Sequence, residues 1–179
     1  MNTKEVIKPA LVLLIIASVA AAALGAVQSI TAEPIRLQEE QTRAASMQAV
    51  MPDASSFEEI TDLELTGSLT AVYKADNGGF VITAAPGGFG GAVNTMVGID
   101  TDGVITGLRV TKHAETPGLG AKSTDPSFYE QFTGMSGTLA VTKDGGEVIP
   151  ITSSTITSRA VTSGANEALE WFAANGGAY

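Results

Sequence analysis

From Pro9 to Ala32 the chain runs for 24 residues, PALVLLIIASVAAAALGAVQSITA, without a charged side chain. At ~1.5 Å rise per residue such a segment reaches across the ~30 Å hydrocarbon core of a bilayer as one helix. A helix apolar on every face suits a small water-soluble domain poorly, because the domain could hardly cover it. Lys4 and Lys8 precede the run, whereas the first charges after it are Glu33, Arg36, Glu39 and Glu40. The positive-inside rule therefore predicts a single-pass anchor in the cell membrane with a cytoplasmic N-terminus, and residues from about Glu33 onward outside. A cleaved signal peptide is the competing reading, with Ser18-Val19-Ala20 or Ala21-Ala22-Ala23 offering small residues for cleavage. The run exceeds the ~7–15 apolar residues expected of such a peptide. Both readings send everything after Ala32 out of the cytoplasm.

The rest of the chain is narrowed by what it lacks. The 179 residues contain no cysteine and one histidine, His113, which excludes disulfide scaffolds, cysteine-ligated zinc or iron–sulfur centres, thiolate nucleophiles and multi-histidine metal sites. Nineteen acidic against ten basic residues argue against nucleic acid as a partner, since phosphate backbones are contacted mostly through Lys and Arg. The length beyond the apolar run corresponds to one domain.

Residues 33–51 have helix-forming composition and end at Pro52, which predicts a stalk helix that continues from the membrane or bends at Pro34. The next stretch, DASSFEEITDLE, reads as a linker. From Leu65 the pattern turns to β: Leu69–Lys74 and Phe80–Ala84 are separated by the turn Asp76-Asn77-Gly78-Gly79, and 92–99 and 104–112 by Asp100-Thr101-Asp102-Gly103. Asp125-Pro126-Ser127 opens a short helix through Phe132, capped by Asp125 or Thr124. Residues 137–148, broken at Asp144-Gly145-Gly146, read as a further hairpin, and 159–174 as a closing amphipathic helix capped by Thr157 or Ser158. The expected fold class is α+β: one N-terminal transmembrane helix, then a mainly antiparallel sheet with helices packed against one side. The corresponding divisions are 1–32 as N-terminus and anchor, 33–64 as stalk and linker, and 65–179 as the extracytoplasmic domain.

Three stretches are candidates for chemistry. Gly87-Gly88-Phe89-Gly90-Gly91 lacks the strand-to-helix context of a dinucleotide fingerprint and the Gly-Lys-Ser/Thr of a Walker loop. It is either a flexible strand connection or a loop whose backbone closely approaches a ligand. His113-Ala114-Glu115-Thr116-Pro117-Gly118-Leu119-Gly120 comes directly after a strand. Such a loop presents backbone amides and Leu119 to a planar ligand, or else carries a lone surface histidine and, in Glu115, a solvated charge. Thr152 to Ser158 holds six hydroxyls in seven positions ahead of a helix. That is a phosphate site, because unpaired amides and the helix dipole favour negative charge, or simply a polar edge before a cap.

The ordered set of Gly-Gly-Phe-Gly-Gly, Met96-Val97-Gly98-Ile99-Asp100 with Asp102-Gly103-Val104-Ile105, the run from His113 to Gly120, and Thr155-Ile156-Thr157-Ser158-Arg159-Ala160-Val161 resembles the FMN-binding domain family. Within it the chain looks most like the G subunits of Rnf-type ion-translocating ferredoxin:NAD oxidoreductase complexes, over about Ile35 to Asn175. The resemblance implies an electron-transfer component of a translocase rather than a catalyst on its own. It implies covalent FMN, joined through its phosphate to a threonine by a dedicated flavin transferase, and other membrane subunits of an Rnf-type complex as partners. The family pattern Asp-x-x-Ser-Gly-Ala-Thr falls on Ile149 to Thr155, which puts Thr155 in the acceptor position. Ile149 replaces the aspartate, and Ser153 and Ser154 replace glycine and alanine. Ser154, Thr157 and Ser158, with His113, Glu115, Thr116, Gly118 and Leu119, would then surround the flavin and its phosphate. No catalytic acid or base and no metal is implied. A stand-alone FMN module for another reductase, and an anchored non-redox domain whose flavin site has decayed, are the alternatives.

Overall fold

The computed structural model describes residues 3–178, and the side chains of residues 3–6 and of Lys8, hence of the basic flank Lys4 and Lys8, lie outside what is described. The chain divides into two units, residues 1–42 and 43–179.

Helix α1 runs from Thr3 to Val50, with Pro9 and Pro34 inside it. Every described side chain from Ile7 to Thr42 is exposed, among them Leu14 at 63% and Ile30 at 74%. A helix of exposed apolar side chains that is long enough to cross a membrane suits a lipid surround. Past the apolar run, Arg36 bridges Glu33 at 2.7 Å and Glu40 at 2.6 Å, the i,i+3 and i,i+4 spacings that bring side chains together on one face.

The second unit is built on a five-stranded antiparallel meander, β1 (Phe57–Glu59), β2 (Leu69–Ala75), β3 (Phe80–Ala84), β4 (Asn94–Ile99) and β5 (Ile105–Lys112), adjacent in chain order. The expected linker thus contributes the edge strand: Glu58 pairs with Lys74 and Glu59 with Tyr73, a register that a short Phe-Glu-Glu segment does not announce. Val72, Ile82, Val97 and Leu108 pair across consecutive strands and share one face. Against that face packs α3 (Thr155–Asn175), through Val161, Ala165, Ala168 and Trp171, with Phe80 edge-on to Trp171 at 5.5 Å. The short α2 (Pro126–Tyr129) adds Phe128 and Tyr129 to the same core.

Helices do not keep to one side, however. The opposite row, Tyr73, Val81, Gly98 and Gly107, meets the end of α1, where Met47, Val50 and Met51 form a second core with Tyr73, Val81 and Met96. The two glycines permit the contact: a Cβ on Gly98 would collide with the Val50 carbonyl, and one on Gly107 would lie 2.9 Å from Val50 Cα. Thr106 Oγ1 closes the joint by donating to the Val50 carbonyl at 2.5 Å.

Residues 137–148 form no hairpin. They make a 3₁₀ turn at Thr142–Asp144 and a single parallel bridge between Val141 and Val148. The backbone of Leu139 is satisfied instead by Asn166 of α3, which accepts from its N–H at 2.7 Å and donates to its carbonyl at 2.8 Å. Apolar alternation survives in this segment because Leu139, Val141 and Val148 face the core, while a side chain supplies the pairing a neighbouring strand would have given.

Candidate functional site

A cavity of about 330 Å³ lies where the glycine loop after β3, the loop after β5 and the start of α3 converge. Phe89, Leu119 and Ile156 give it apolar surface, and Glu115, Thr116, Ser153, Ser154, Thr155 and Thr157 give it polar groups. Its size is at the lower end of the ~300–1,000 Å³ of small-molecule sites.

Glu115 organises the two loops. Composition alone suggests a solvated charge, yet it is 6% exposed. Its Oε1 accepts from the Gly90 N–H at 3.0 Å and its Oε2 from the Thr157 hydroxyl at 2.7 Å, so one carboxylate ties the glycine loop, the loop after β5 and α3 together. Burial pushes its pKa up, but the Thr157 hydroxyl, the amides of Gly90 and Phe89 and the His113 ring together outweigh burial and hold it below the ordinary 4.5. The glycines make room for the carboxylate. A Cβ on Gly88 would collide with Oε1, and one on Gly120 would collide with Oε2 and stand 2.7 Å from Thr157 Oγ1.

The start of α3 differs from the expected cap. Ser154, not Thr157 or Ser158, precedes the first helical residue, after Ser153 turns the chain through a left-handed φ of 65°. Thr157 and Ser158 face inward instead: Ser158 Oγ donates to the Ser154 carbonyl at 3.0 Å and accepts from the Ile151 N–H at 2.9 Å. This leaves Thr155 in the opening turn and among the cavity's lining residues, and its hydroxyl accepts at 2.9 Å from Nζ of Lys143, which does not itself line the cavity.

Of the residues singled out in the sequence, Glu115, Thr116, Leu119, Ser154, Thr155 and Thr157 line this cavity. His113, Gly118 and Ser158 are not among its lining residues. His113 Nδ1 accepts from the Glu115 N–H at 3.2 Å and braces the loop, Gly118 takes the loop through a φ of +74°, and Ser158 fastens the approach to α3. Phe89, Gly120, Ser153 and Ile156 also line the cavity without being among the residues singled out, and Lys143 touches Thr155 from outside the lining. Gly120 and Ile156 lie inside quoted motifs, whereas Lys143 is twelve residues from Thr155 with no periodicity to connect them, and only the turn at Thr142–Asp144 brings it in. Among the described residues no cluster of metal-ligating side chains occurs.

The chain matches the family model of the FMN-binding domain over residues 88–170 and that of the RnfG N-terminal region over residues 1–50. It is 38% identical to the G subunit of the Na⁺-translocating ferredoxin:NAD⁺ oxidoreductase complex of Acetobacterium woodii, over 93% of this chain and 91% of that protein. It is 32% identical to the G subunit of the ion-translocating oxidoreductase complex of Methanosarcina acetivorans, over 98% and 99% respectively. Among solved structures, the C subunit of the Na⁺-translocating NADH-quinone reductase of Parabacteroides distasonis shares the fold, with a TM-score of 0.52 at 22% identity, covering 67% of this chain and 76% of that one.

Proposed function

The chain belongs to the G-subunit family of ion-translocating oxidoreductase complexes, and on that premise we propose that it is a membrane-anchored flavoprotein relaying electrons within an Rnf-type complex, its FMN esterified to Thr155. The flavin, when bound, supplies one- and two-electron redox chemistry. The protein attaches it, orients it and keeps water from it.

The observation that carries this reading is the position of Thr155: a residue in the first turn of a long helix that lines the cavity and whose hydroxyl is touched by an ammonium group. The residues present fit a ring joined to a phosphate. Phe89, Leu119 and Ile156 offer apolar surface to the ring, while Lys143 and the hydroxyls beside the helix start suit the phosphate. Among the neighbouring hydroxyls, those of Thr157 and Ser158 are engaged with Glu115 and the Ser154 carbonyl, which favours Thr155 as the acceptor.

Attachment is by a flavin transferase in this reading: the Thr155 oxygen loses its proton and displaces the leaving group of an activated flavin phosphate, such as the nucleotide half of a flavin dinucleotide. The domain lies outside the cytoplasmic membrane, as Lys4 and Lys8 ahead of the apolar run suggest. A covalent link suits a carrier there, because a dissociated cofactor would be lost. In-gel flavin fluorescence after denaturation tests the attachment: Thr155→Val abolishes it, while Ser154→Ala keeps it. Fluorescence that survives Thr155→Val and disappears in Ser154→Ala or Thr157→Val moves the acceptor. Protease added to right-side-out vesicles tests orientation, since it should digest the chain beyond Ala32, and a fully protected domain overturns that placement.

A further inference from the structure

Lys143 enters the site by a route of its own. The 3₁₀ turn Thr142–Asp144 that carries it is held against α3 by a bidentate ion pair: Arg159 Nε and Nη2 donate to Asp144 Oδ2 at 2.7 Å and Oδ1 at 2.6 Å. Arg159 is four residues after Thr155, so the two lie on one face of the helix. The ion pair therefore sets the turn over the face that bears Thr155, and the Lys143 ammonium comes to 2.9 Å from Thr155 Oγ1. It also occupies the carboxylate next to Lys143 in the chain. Among the described residues Lys143 forms no salt bridge; its hydrogen bond goes to the neutral Thr155 hydroxyl, while its charge also favours the ionised form of the neighbouring Asp144.

We infer that Lys143 is the counter-ion of a phosphate group esterified to Thr155, positioned for that role by the Asp144–Arg159 pair. The inference rests on attachment at Thr155 as proposed above and adds a residue to it. Esterification turns the acceptor hydroxyl into a weakly accepting bridging oxygen and places one negative charge on the two non-bridging oxygens beside it. An ammonium already at hydrogen-bond distance from Oγ1 would be within reach of a phosphate on that oxygen, and their bond would be charge-assisted on both sides. Lysine binds phosphate as a point charge with three rotatable donors, so the pairing tolerates small swings of the tether. Lys143 thus acts on the phosphate and leaves the ring to Leu119, Ile156 and Phe89.

The test uses the full chain in detergent, produced with and without a flavin transferase, as wild type, Lys143→Met and Lys143→Arg. The readout is the gain in Tm on flavin attachment at about 0.05 M and about 0.5 M salt, a range over which exposed charge pairs are screened. The wild type should gain stability on attachment and lose part of the gain at high salt, and Lys143→Arg should behave alike. Lys143→Met should lose roughly 2 °C of the gain together with its salt dependence. An identical gain and salt response in Lys143→Met overturns the inference. If Lys143→Met carries no flavin, Lys143→Arg decides: restored flavin supports a role for the charge, and its absence there too overturns that role. Covalent flavin missing from the wild type refutes the attachment reading itself and the inference with it, whereas flavin on Thr155 with a salt-independent wild-type gain refutes only the counter-ion.

Discussion

On one side of the cavity the polar groups are buried and saturated, and on the other they stand open. Glu115 is 6% exposed and Thr157 is 1% exposed; each is bonded to the other, and the second carboxylate oxygen is filled by the Gly90 amide. Thr155 is half-buried, and its partner Lys143 is exposed. The first wall resembles a protein interior, where removing one partner leaves another unsatisfied at a cost of ~1–3 kcal/mol for each stranded group. The second can exchange its partners for water. The attachment proposed for Thr155 needs both: a frame that holds its shape, and a hydroxyl that stays accessible.

Glu115→Leu is the severest test of that contrast. It strands the Gly90 amide and the Thr157 hydroxyl and puts branched carbon where Gly88 and Gly120 are small to admit a carboxylate. The expected loss is roughly 3 kcal/mol, read from urea unfolding of unflavinylated protein. A loss under about 0.5 kcal/mol would show that the wall does not depend on this carboxylate.

Titration sharpens the same point with a smaller effect. The Glu115 carboxyl sits below its ordinary value in the folded protein, so the unfolded chain takes up its proton first as pH falls. Its ionisation therefore adds stability above about pH 4.5, and that part is lost as pH drops below 4.5 through the folded-state value. The difference in Tm between wild type and Glu115→Gln should be constant near neutrality and narrow below pH 4.5, with the other carboxylates cancelling in the comparison. A difference that widens on acidification contradicts the assignment.

Gly118 belongs to the loop that carries Glu115 but not to the cavity. Its φ is +74° and a Cβ there would meet nothing within 4 Å, so Gly118→Ala costs only backbone strain, about 1 kcal/mol. The cost should be equal with and without flavin. A larger cost in the flavinylated protein would mean that the loop takes a different conformation around the ring.

Legibility in the sequence divides in the same way between local and long-range causes. The anchor, strands β2 to β5 and the closing helix are readable because apolar periodicity and Asp-Gly or Asn-Gly turns are local signals. The second core is not, since its cause is Val50 seated on Gly98 and Gly107, residues about fifty positions away that look like weak points in two strands. The false hairpin at 137–148 arises because alternation reports burial, and Asn166 supplies the pairing from outside the segment. In the site, motif resemblance locates the cavity loops. It says nothing of Glu115 as a buried tie, nor of Lys143, whose approach depends on an ion pair between a turn and a helix.

The smallest expected effect on folding comes from the residue on which the proposed function depends most. Thr155→Val keeps the shape and β-branching of the side chain in the first helical turn, so rotamer preference and packing hardly change. What it removes is one hydrogen bond to Lys143, whose exposed ammonium can turn to water instead. Unflavinylated Thr155→Val should thus lie within about 0.5 kcal/mol of wild type in urea unfolding, while accepting no covalent flavin. Glu115→Leu should show the reverse emphasis, losing stability whether or not a transferase is present. If Thr155→Val were to destabilise the unflavinylated chain as much as Glu115→Leu, the hydroxyl would be part of the frame, and the distinction between a saturated wall and an open one would fail at its central residue.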